Sequence, residues 1–258
     1  MRKKAASGIM LVLLTIGMLS LTFNIQPARS EWTGTVYIRA DGSIDPPDAP
    51  ISTVDNITYI FTDDIYGSIM VERCNIVIDG RGYTLQGAGT GHGFYLYKIN
   101  NVTIKRTNIK GFSHGIWLRY SSKNVISGND IKNNQYGIYL GSYENVISGN
   151  NIENNRYGIW LRYSRDNSIY RNNIENNGDG IWLYSSPNNS ISGNNIENNG
   201  NGICLDNSPK NIISGNNITN NEHGFWFYYS SKNSIHGNNI IANNQYGIYL
   251  FHSSKNSI

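Results

Sequence analysis

The sequence predicts an all-β fold, a single-stranded right-handed parallel β-helix (a solenoid) whose coils each contain three short strands. The first observation is a glycine followed by an apolar residue that recurs mostly every 22 residues, at Gly93, Gly115, Gly137, Gly158, Gly180, Gly202, Gly224 and Gly247. The second is the alternation of apolar and other side chains within each unit. The third is the abundance of Asn, Ser and Gly, which favour turns over helices.

One repeat unit shows how each element is predicted. Ile181 and Leu183 alternate with Trp182, which is the period-two pattern of a strand with one buried face. Ile191 and Ile196 then stand singly between small polar residues and mark two further short strands. A helix would need apolar residues three and four positions apart, and the unit lacks that spacing.

Stacking the coils about 4.8 Å apart turns equivalent residues into columns along the helix. The positions of Ile181, Leu183, Ile191 and Ile196 become four apolar columns that fill the interior, so stability comes from stacking neighbouring coils. We interpret a further column, in which amides can hydrogen-bond from coil to coil, as structural. Its members are Asn124, Asn145, Asn167, Asn189, Asn211, Asn233 and Asn256.

Three segments follow one another along the chain. Residues 1–30 have a basic start, an apolar run and a small-x-small motif, the pattern of a signal peptide, with an uncleaved membrane anchor as the alternative. Either reading places the bulk of the protein outside the cytoplasm. Residues 31–66 do not fit the repeat and are predicted to cap the solenoid. Residues 67–258 are predicted to be repeats, and because Ile258 falls in mid-coil we expect the sequence to be part of a longer chain.

Charge argues against a nucleic-acid partner, and membrane contact is expected only through the N-terminal segment. The formal net charge is +3, from 21 basic and 18 acidic residues. Four of the basic residues lie within residues 1–30, and the remaining 17 form no stripe that would follow a phosphate backbone. Cys74 and Cys204 are expected about six coils apart, near 30 Å, which is too far for a disulfide.

The repeat units resemble those of NosD-type β-helix proteins, which are grouped with carbohydrate-binding proteins and sugar hydrolases of the pectin-lyase-like fold. The matching units, from Gly115 to Ile258, have the form Gly-Ile-x-Leu-x-x-Ser-x-x-Asn-x-Ile-Ser-Gly-Asn-x-Ile. The motif Ile78-Asp79-Gly80-Arg81-Gly82-Tyr83-Thr84-Leu85 is similar to the opening coil of many such proteins. This resemblance implies the fold over residues 67–258. It also implies either a periplasmic role in copper delivery or a surface protein without fixed chemistry.

One outward-facing column is the most informative feature for function. Strand alternation points its members away from the core; they are Tyr95, Trp117, Tyr139, Trp160, Trp182, Cys204, Trp226 and Tyr249. Two residues further along lie Tyr97, Arg119, Arg162, Tyr184, Tyr228 and Phe251. A line of aromatic rings with two arginines suits the flat sugar faces of a polysaccharide or surface glycan, which we predict as the partner. The alternatives are that the rings stabilise the sheet or that another segment covers them.

Two sets of side chains are candidate metal ligands, although the sequence requires no cofactor. Glu153, Glu175 and Glu197 occupy one position in successive coils, and such a carboxylate column suits Ca²⁺, the alternative being a solvated face. His92 and His114 also share a position and would make a two-ligand copper or zinc site, the alternative being ordinary turn residues.

Catalysis within this segment is not expected. The tripeptide Gly91-His92-Gly93 is similar to one in β-helix pectin hydrolases, but the paired carboxylates that hydrolysis needs are missing. The aspartates are instead expected on different faces: Asp79, Asp130, Asp166, Asp179 and Asp206. The remaining alternative is a fragment of a polysaccharide lyase, epimerase or hydrolase.

The sequence contains glycosylation motifs and one departure from the repeated glycine. Asn-x-Ser/Thr sequons are candidate glycosylation sites outside the cytoplasm, at Asn56, Asn101, Asn188 and Asn217. Arg171 stands where most coils have glycine, and we expect it to adopt ordinary backbone angles rather than a positive φ.

Overall fold

The computed structural model describes residues 31–258, so the predicted signal peptide or anchor lies outside the described residues. This part of the chain consists of β-strands and turns. Among residues 31–258 no helix is long and apolar enough to cross a membrane. The strands stack coil upon coil, which confirms the predicted parallel β-helix.

Each regular coil has a six-residue first strand and two three-residue strands. The first strands are β1 (Thr33–Ile38), β5 (Ile65–Val71), β8 (His92–Tyr97), β11 (His114–Arg119), β14 (Tyr136–Gly141), β17 (Tyr157–Arg162), β20 (Asp179–Tyr184), β23 (Asn201–Asp206), β26 (His223–Tyr228) and β29 (Tyr246–Phe251). The second strands are β4 (Thr58–Phe61), β6 (Ile76–Asp79), β9 (Val102–Lys105), β12 (Val125–Ser127), β15 (Val146–Ser148), β18 (Ser168–Tyr170), β21 (Ser190–Ser192), β24 (Ile212–Ser214) and β27 (Ser234–His236). The third strands are β7 (Thr84–Gln86), β10 (Asn108–Lys110), β13 (Asp130–Lys132), β16 (Asn151–Glu153), β19 (Asn173–Glu175), β22 (Asn195–Glu197), β25 (Asn217–Thr219) and β28 (Asn239–Ile241).

The N-terminal segment joins the stack rather than only covering it. Strand β1 pairs parallel with β5, and β4 pairs parallel with β6. Two short strands, β2 (Ile44–Asp45) and β3 (Ile51–Ser52), pair antiparallel with β1 and β4. The boundary predicted at residue 66 therefore falls inside β5. The first coils are stacked on the later ones, although their sequences lack the 22-residue repeat.

The interior consists of the predicted apolar columns. Ile181, Leu183, Ile191 and Ile196 are fully buried, as are their equivalents in the neighbouring coils. Each of these side chains contacts its equivalents above and below, because the parallel register pairs Ile159 with Ile181 and so on along the helix. Burial of this kind stabilises each coil only through its neighbours.

Buried asparagines form three ladders where the sequence predicted one. In the predicted ladder, the backbone N–H of Asn167 donates to Oδ1 of Asn189 at 2.9 Å, and its Nδ2 donates to the same oxygen at 3.0 Å. Two further ladders run through positions 129 to 238 and 134 to 243, and a serine ladder runs through positions 121 to 253. These bonds satisfy backbone groups at the corners, where no strand partner is available.

The expectation for Arg171 is wrong, because its φ is +55°. The equivalent glycines, Gly149 and Gly193, have φ values of +63° and +61°. The buried Asn172, which follows Arg171, is held in its ladder by Asn150 and Asn194. The stack therefore imposes the corner conformation on whichever residue the sequence supplies.

Replacing Arg171 with glycine should stabilise the protein by roughly 0.5 kcal/mol. A left-handed backbone costs an L-residue about 1–2 kcal/mol, and the conformational entropy of glycine offsets roughly half of that. Urea unfolding of Arg171→Gly against wild type measures the change. The reciprocal variant Gly193→Arg should be destabilised, and equal stabilities of all three proteins would contradict this account.

Candidate functional site

The outward surface of the first strands, from β8 to β29, forms one continuous face that we call the aromatic face. Three outward positions of each strand contribute to it: the leading residue, the central residue and the trailing residue. In β17 these are Tyr157, Trp160 and Arg162, and in β20 they are Asp179, Trp182 and Tyr184. The predicted glycan-binding residues all lie on this face, at its central and trailing positions.

The central column is half-buried except at Cys204, and some of its neighbouring rings stack. The rings of Trp160 and Trp182 are nearly parallel, at 9°, with centroids 5.1 Å apart. Trp226 stacks on Tyr249 at 4.2 Å. Such pairs stabilise neighbouring strands by roughly 0.5–1.5 kcal/mol each. In these two pairs the ring faces therefore cover each other. Elsewhere in the column the rings are not parallel: Tyr95 and Trp117 are tilted at 54°, and Trp117 and Tyr139 meet edge to face at 85°.

Cys204 belongs to this column but presents no surface. Its larger neighbours in the parallel register are Trp182 and Trp226, and between them the thiol is only 3% exposed. Burial raises the pKa of the thiol well above its usual range. Cys204 and Cys74 are both free thiols.

The sequence analysis identified the shared position of His92 and His114 but missed the rest of the leading column. It contains His92, His114, Tyr136, Tyr157, Asp179, Asn201, His223 and Tyr246. The His114 ring stacks on Tyr136 at 4.8 Å and on Trp117 at 4.9 Å. The available signal was the residue before each repeated glycine, which is aromatic or His in most coils.

The two candidate copper ligands lie side by side in this column, with ring centroids 5.0 Å apart. Burial lowers the pKa of His114 to about 4, with a smaller contribution from His92, and burial also lowers the pKa of His92. Both imidazoles are therefore neutral at pH 7. Within residues 31–258 no group of three or more His, Cys, Asp or Glu side chains is placed to hold a metal ion.

The carboxylates of the predicted calcium column point to separate partners, and calcium binding there stays a prediction. Each carboxylate has its own neighbour: Lys132 lies 3.5 Å from Glu153, Asn173 donates to Glu175 at 3.1 Å, and Asn220 donates to Glu197 at 3.0 Å. Outward side chains one coil apart on a twisted solenoid are free to turn toward different partners. The three carboxylates do not converge on one centre in this part of the chain.

The expectation that the aspartates lie on different faces is wrong for one pair. Asp179 and Asp206 both lie on the aromatic face, in neighbouring strands, but at the leading and the trailing end. Burial raises the pKa of both carboxyls. Asp179 also accepts a hydrogen bond from Nδ2 of Asn201 at 2.6 Å.

Replacing Asp179 with asparagine should raise the melting temperature at pH 7 but leave it unchanged near pH 3. The folded-state pKa lies above the ordinary 3.8, so the protonated carboxyl favours the fold at low pH. That contribution is lost as the pH rises through the raised pKa. An amide keeps the acceptor for Asn201 and carries no charge to bury. Thermal unfolding at both pH values measures the difference, and an equal gain at pH 3 would contradict the electrostatic cause.

A cleft of about 550 Å³ opens at the trailing edge of the aromatic face. Its lining residues are Trp117, Arg119, Tyr120, Tyr139, Gly141, Ser142, Tyr143, Arg162 and Tyr163. We call it the Gly141 cleft, because Gly141 lies between Arg119 and Arg162 in the trailing column. Four of the lining residues, Trp117, Arg119, Tyr139 and Arg162, were predicted from the sequence as glycan-binding residues.

Exposed tyrosines form the rim of the cleft. Tyr120 is 58% exposed and Tyr163 is 64% exposed, and both have positive φ, +53° in each case. A positive φ is unusual for a bulky side chain. The guanidinium of Arg119 lies 5.4 Å from the Tyr120 ring centroid, and that of Arg162 lies 5.2 Å from the Tyr163 ring centroid. Each side of the cleft therefore has one arginine beside one exposed tyrosine: Arg119 with Tyr120, and Arg162 with Tyr163.

The sequons differ in accessibility. Asn56, Asn101 and Asn188 are exposed at turns with positive φ. Asn217 lies on β25, where its Nδ2 donates to Asn195 at 2.8 Å. The Nδ2 of Asn101 also donates, to Asn75 at 2.9 Å, so the amides of Asn56 and Asn188 are the better placed for glycosylation, which stays a prediction.

Several solved structures are similar to this chain. The Azotobacter vinelandii mannuronan C-5 epimerase AlgE4 A-module is 18% identical, with a TM-score of 0.66, over 74% of this chain and 62% of that module. The periplasmic alginate epimerase AlgG is 17% identical, with a TM-score of 0.60, over 87% of this chain and 83% of AlgG. The Dettilon tailspike protein is 18% identical, with a TM-score of 0.66, over 81% of this chain and 46% of the tailspike. At these identities the likeness shows the fold alone.

The chain therefore spans less than two thirds of the AlgE4 module. A comparison with curated proteins gives no match. Two family models match the sequence. The model described as periplasmic copper-binding protein (NosD) matches residues 140–258, and the model described as right handed beta helix region matches residues 54–189. Because the second match covers more than half of the chain, and the first confirms the resemblance of the repeats, the protein belongs to the right-handed β-helix family with NosD-type repeats.

Proposed function

We propose that this protein is an exported, non-enzymatic β-helix that binds a polysaccharide or surface glycan through the aromatic face. The observation that carries the proposal is the Gly141 cleft, where exposed tyrosines stand beside the predicted aromatic and arginine residues. Trp117 and Tyr139 of the central column, which meet edge to face, form the base of the cleft. The outer tyrosines, whose rings are free on the solvent side, provide the sugar contacts.

Two further observations support export and a glycan ligand. The matching family model is described as periplasmic, and so is AlgG. The epimerases among the similar structures act on mannuronan or alginate, by their names. A solenoid presents its outward side chains along a line at a repeat of about 4.8 Å, which suits an extended polymer.

Affinity electrophoresis in gels that contain soluble polysaccharides tests the proposal. We expect the wild type to be retarded by at least one polymer and the variant Tyr120→Asn/Tyr163→Asn to bind about fivefold more weakly per ring. Asparagine tolerates the positive φ at both positions, so the fold is kept. Tyr170→Asn, on the second-strand face, is the matched control. Equal retardation of all three proteins, or of none, would overturn the proposal.

Copper handling is a second candidate, favoured by the NosD match. The His92–His114 pair lies outside the matched residues 140–258, so the repeats rather than the pair carry that likeness. Titration with Cu(I) and Cu(II) is the test. The hypothesis requires stoichiometric binding that is lost in His92→Ala/His114→Ala, and unchanged binding by this variant would exclude the pair as the site.

A further inference from the structure

The Gly141 cleft exists because one coil is a residue short. Gly137 and Gly158 are 21 residues apart, while the flanking intervals are 22. The inference drawn from this feature rests on the proposed glycan binding and specifies its ligand class and principal subsite.

The serine ladder shows where the missing residue would have been. The backbone N–H of Ser121 donates to Oγ of Ser142, and that of Ser142 donates to Oγ of Ser164, both at 3.0 Å. Ser121 and Ser164 follow Tyr120 and Tyr163, whereas Ser142 follows Gly141 directly. The short coil therefore lacks the outward tyrosine position, and the buried corner is unchanged.

Gly141 itself has no side chain, whereas the equivalent residues in the neighbouring coils are arginines. Its strand partner in β11 is Arg119, and the equivalent residue in β17 is Arg162. Its φ is not positive, and an added Cβ would meet no atom nearer than 3.9 Å. Neither backbone conformation nor packing requires glycine here. The missing side chain at Gly141 leaves a space one coil wide between Arg119 and Arg162.

The walls of this space are cationic. Arg119 and Arg162 are two coils apart, roughly 10 Å along the axis. Among the described residues neither forms an ion pair with a carboxylate, whereas the nearby Arg165 pairs with Asp166. Both side chains are charged at any ordinary pH. The hydroxyls of Tyr139 and Tyr163 raise the pKa of Arg162, and those of Tyr120 and Tyr95 raise the pKa of Arg119, whose guanidinium also lies 5.7 Å from the Tyr97 ring centroid.

We propose that the Gly141 cleft is the subsite for one acidic sugar unit, whose carboxylate or sulfate binds between Arg119 and Arg162. The ring of that unit fills the space left by the missing tyrosine and by Gly141, against the Trp117 and Tyr139 edges. The rim rings of Tyr120 and Tyr163 contact the sugars on either side. Guanidinium groups bind carboxylates and tetrahedral oxyanions through paired hydrogen bonds, and their positions fix which unit of the polymer enters the cleft.

Affinity electrophoresis with paired polymers tests this subsite. Polygalacturonate is compared with its methyl ester, and dextran sulfate with dextran, so that each acidic polymer has a neutral counterpart. We expect wild type to bind one acidic polymer roughly tenfold or more tightly than its counterpart. Arg119→Gln/Arg162→Gln should abolish that difference. Gly141→Tyr, which restores the side chain found at the equivalent Tyr97 and Tyr184, should also abolish it by filling the cleft.

The controls separate this inference from the proposed function. Arg171→Gln removes one exposed arginine from a different corner and should leave binding unchanged, and the melting temperatures of all variants should match wild type. Binding of neutral and acidic polymers alike, with no effect of Arg119→Gln/Arg162→Gln, would overturn the acidic subsite and leave glycan binding standing. Absence of binding to every polymer would overturn both. A preference for only one acidic pair supports the subsite and identifies carboxylate or sulfate as its ligand.

Discussion

Replacing Asn172 with alanine should lower the free energy of unfolding by roughly 4 kcal/mol. Asn172 is 2% exposed, and its Oδ1 accepts hydrogen bonds from the backbone N–H and the side chain of Asn150, at 3.0 and 2.9 Å. Its Nδ2 donates to the carbonyl of Ile147 at 3.0 Å. Alanine would leave these buried groups without partners, and each orphaned group costs about 1–3 kcal/mol.

Asn173→Ala is the matched control for this loss. Asn173 is adjacent in sequence and is also hydrogen-bonded from coil to coil, donating to Asn151 at 2.9 Å. It faces outward and is half-buried, so water can replace its partners, and the cost should stay below about 1 kcal/mol. Urea unfolding followed by circular dichroism measures both variants. Equal losses would show that the position of the amide, inside or outside the coil, does not matter.

Replacing Gly158 with alanine should destabilise the protein by roughly 3 kcal/mol or more. The added Cβ would lie 2.6 Å from the carbonyl oxygen of Gly180 and 3.2 Å from Cγ2 of Ile174. The first of these atoms belongs to the backbone of the next coil, so relief requires moving a strand. The same close approach recurs along the repeated glycines, which explains why that residue marks each coil.

Gly141→Ala tests whether this cost comes from contact or from glycine itself. Nothing lies within 3.9 Å of an added Cβ at Gly141, so stability should change by less than about 0.5 kcal/mol. Thermal unfolding of the two variants in parallel is sufficient. A large loss in Gly141→Ala would imply a structural need for that glycine and would weaken the interpretation of the cleft as open space kept for a ligand.

The apolar and asparagine columns were predictable because a parallel in-register stack repeats one local pattern. Once the period is known, Ile181 and Ile203 must pair, and so must Asn167 and Asn189. The aromatic face was predictable for the same reason. The binding properties of this face were only partly predictable. Strand alternation predicts that Trp160 points outward, but it does not predict that the Trp182 ring covers the ring face of Trp160.

The sequence itself thus determines the coil length, the apolar core columns, the asparagine ladders at the corners and the outward aromatic columns. Each of these depends only on the spacing of residues along the chain. The tertiary structure alone decided the features that depend on several coils together. It imposed a positive φ on Arg171, buried Cys204 between two indoles, and joined the leading column to the central one. It also turned the absence of one residue after Gly141 into a cleft, because the neighbouring coils present Tyr120 and Tyr163 where the short coil has no equivalent residue.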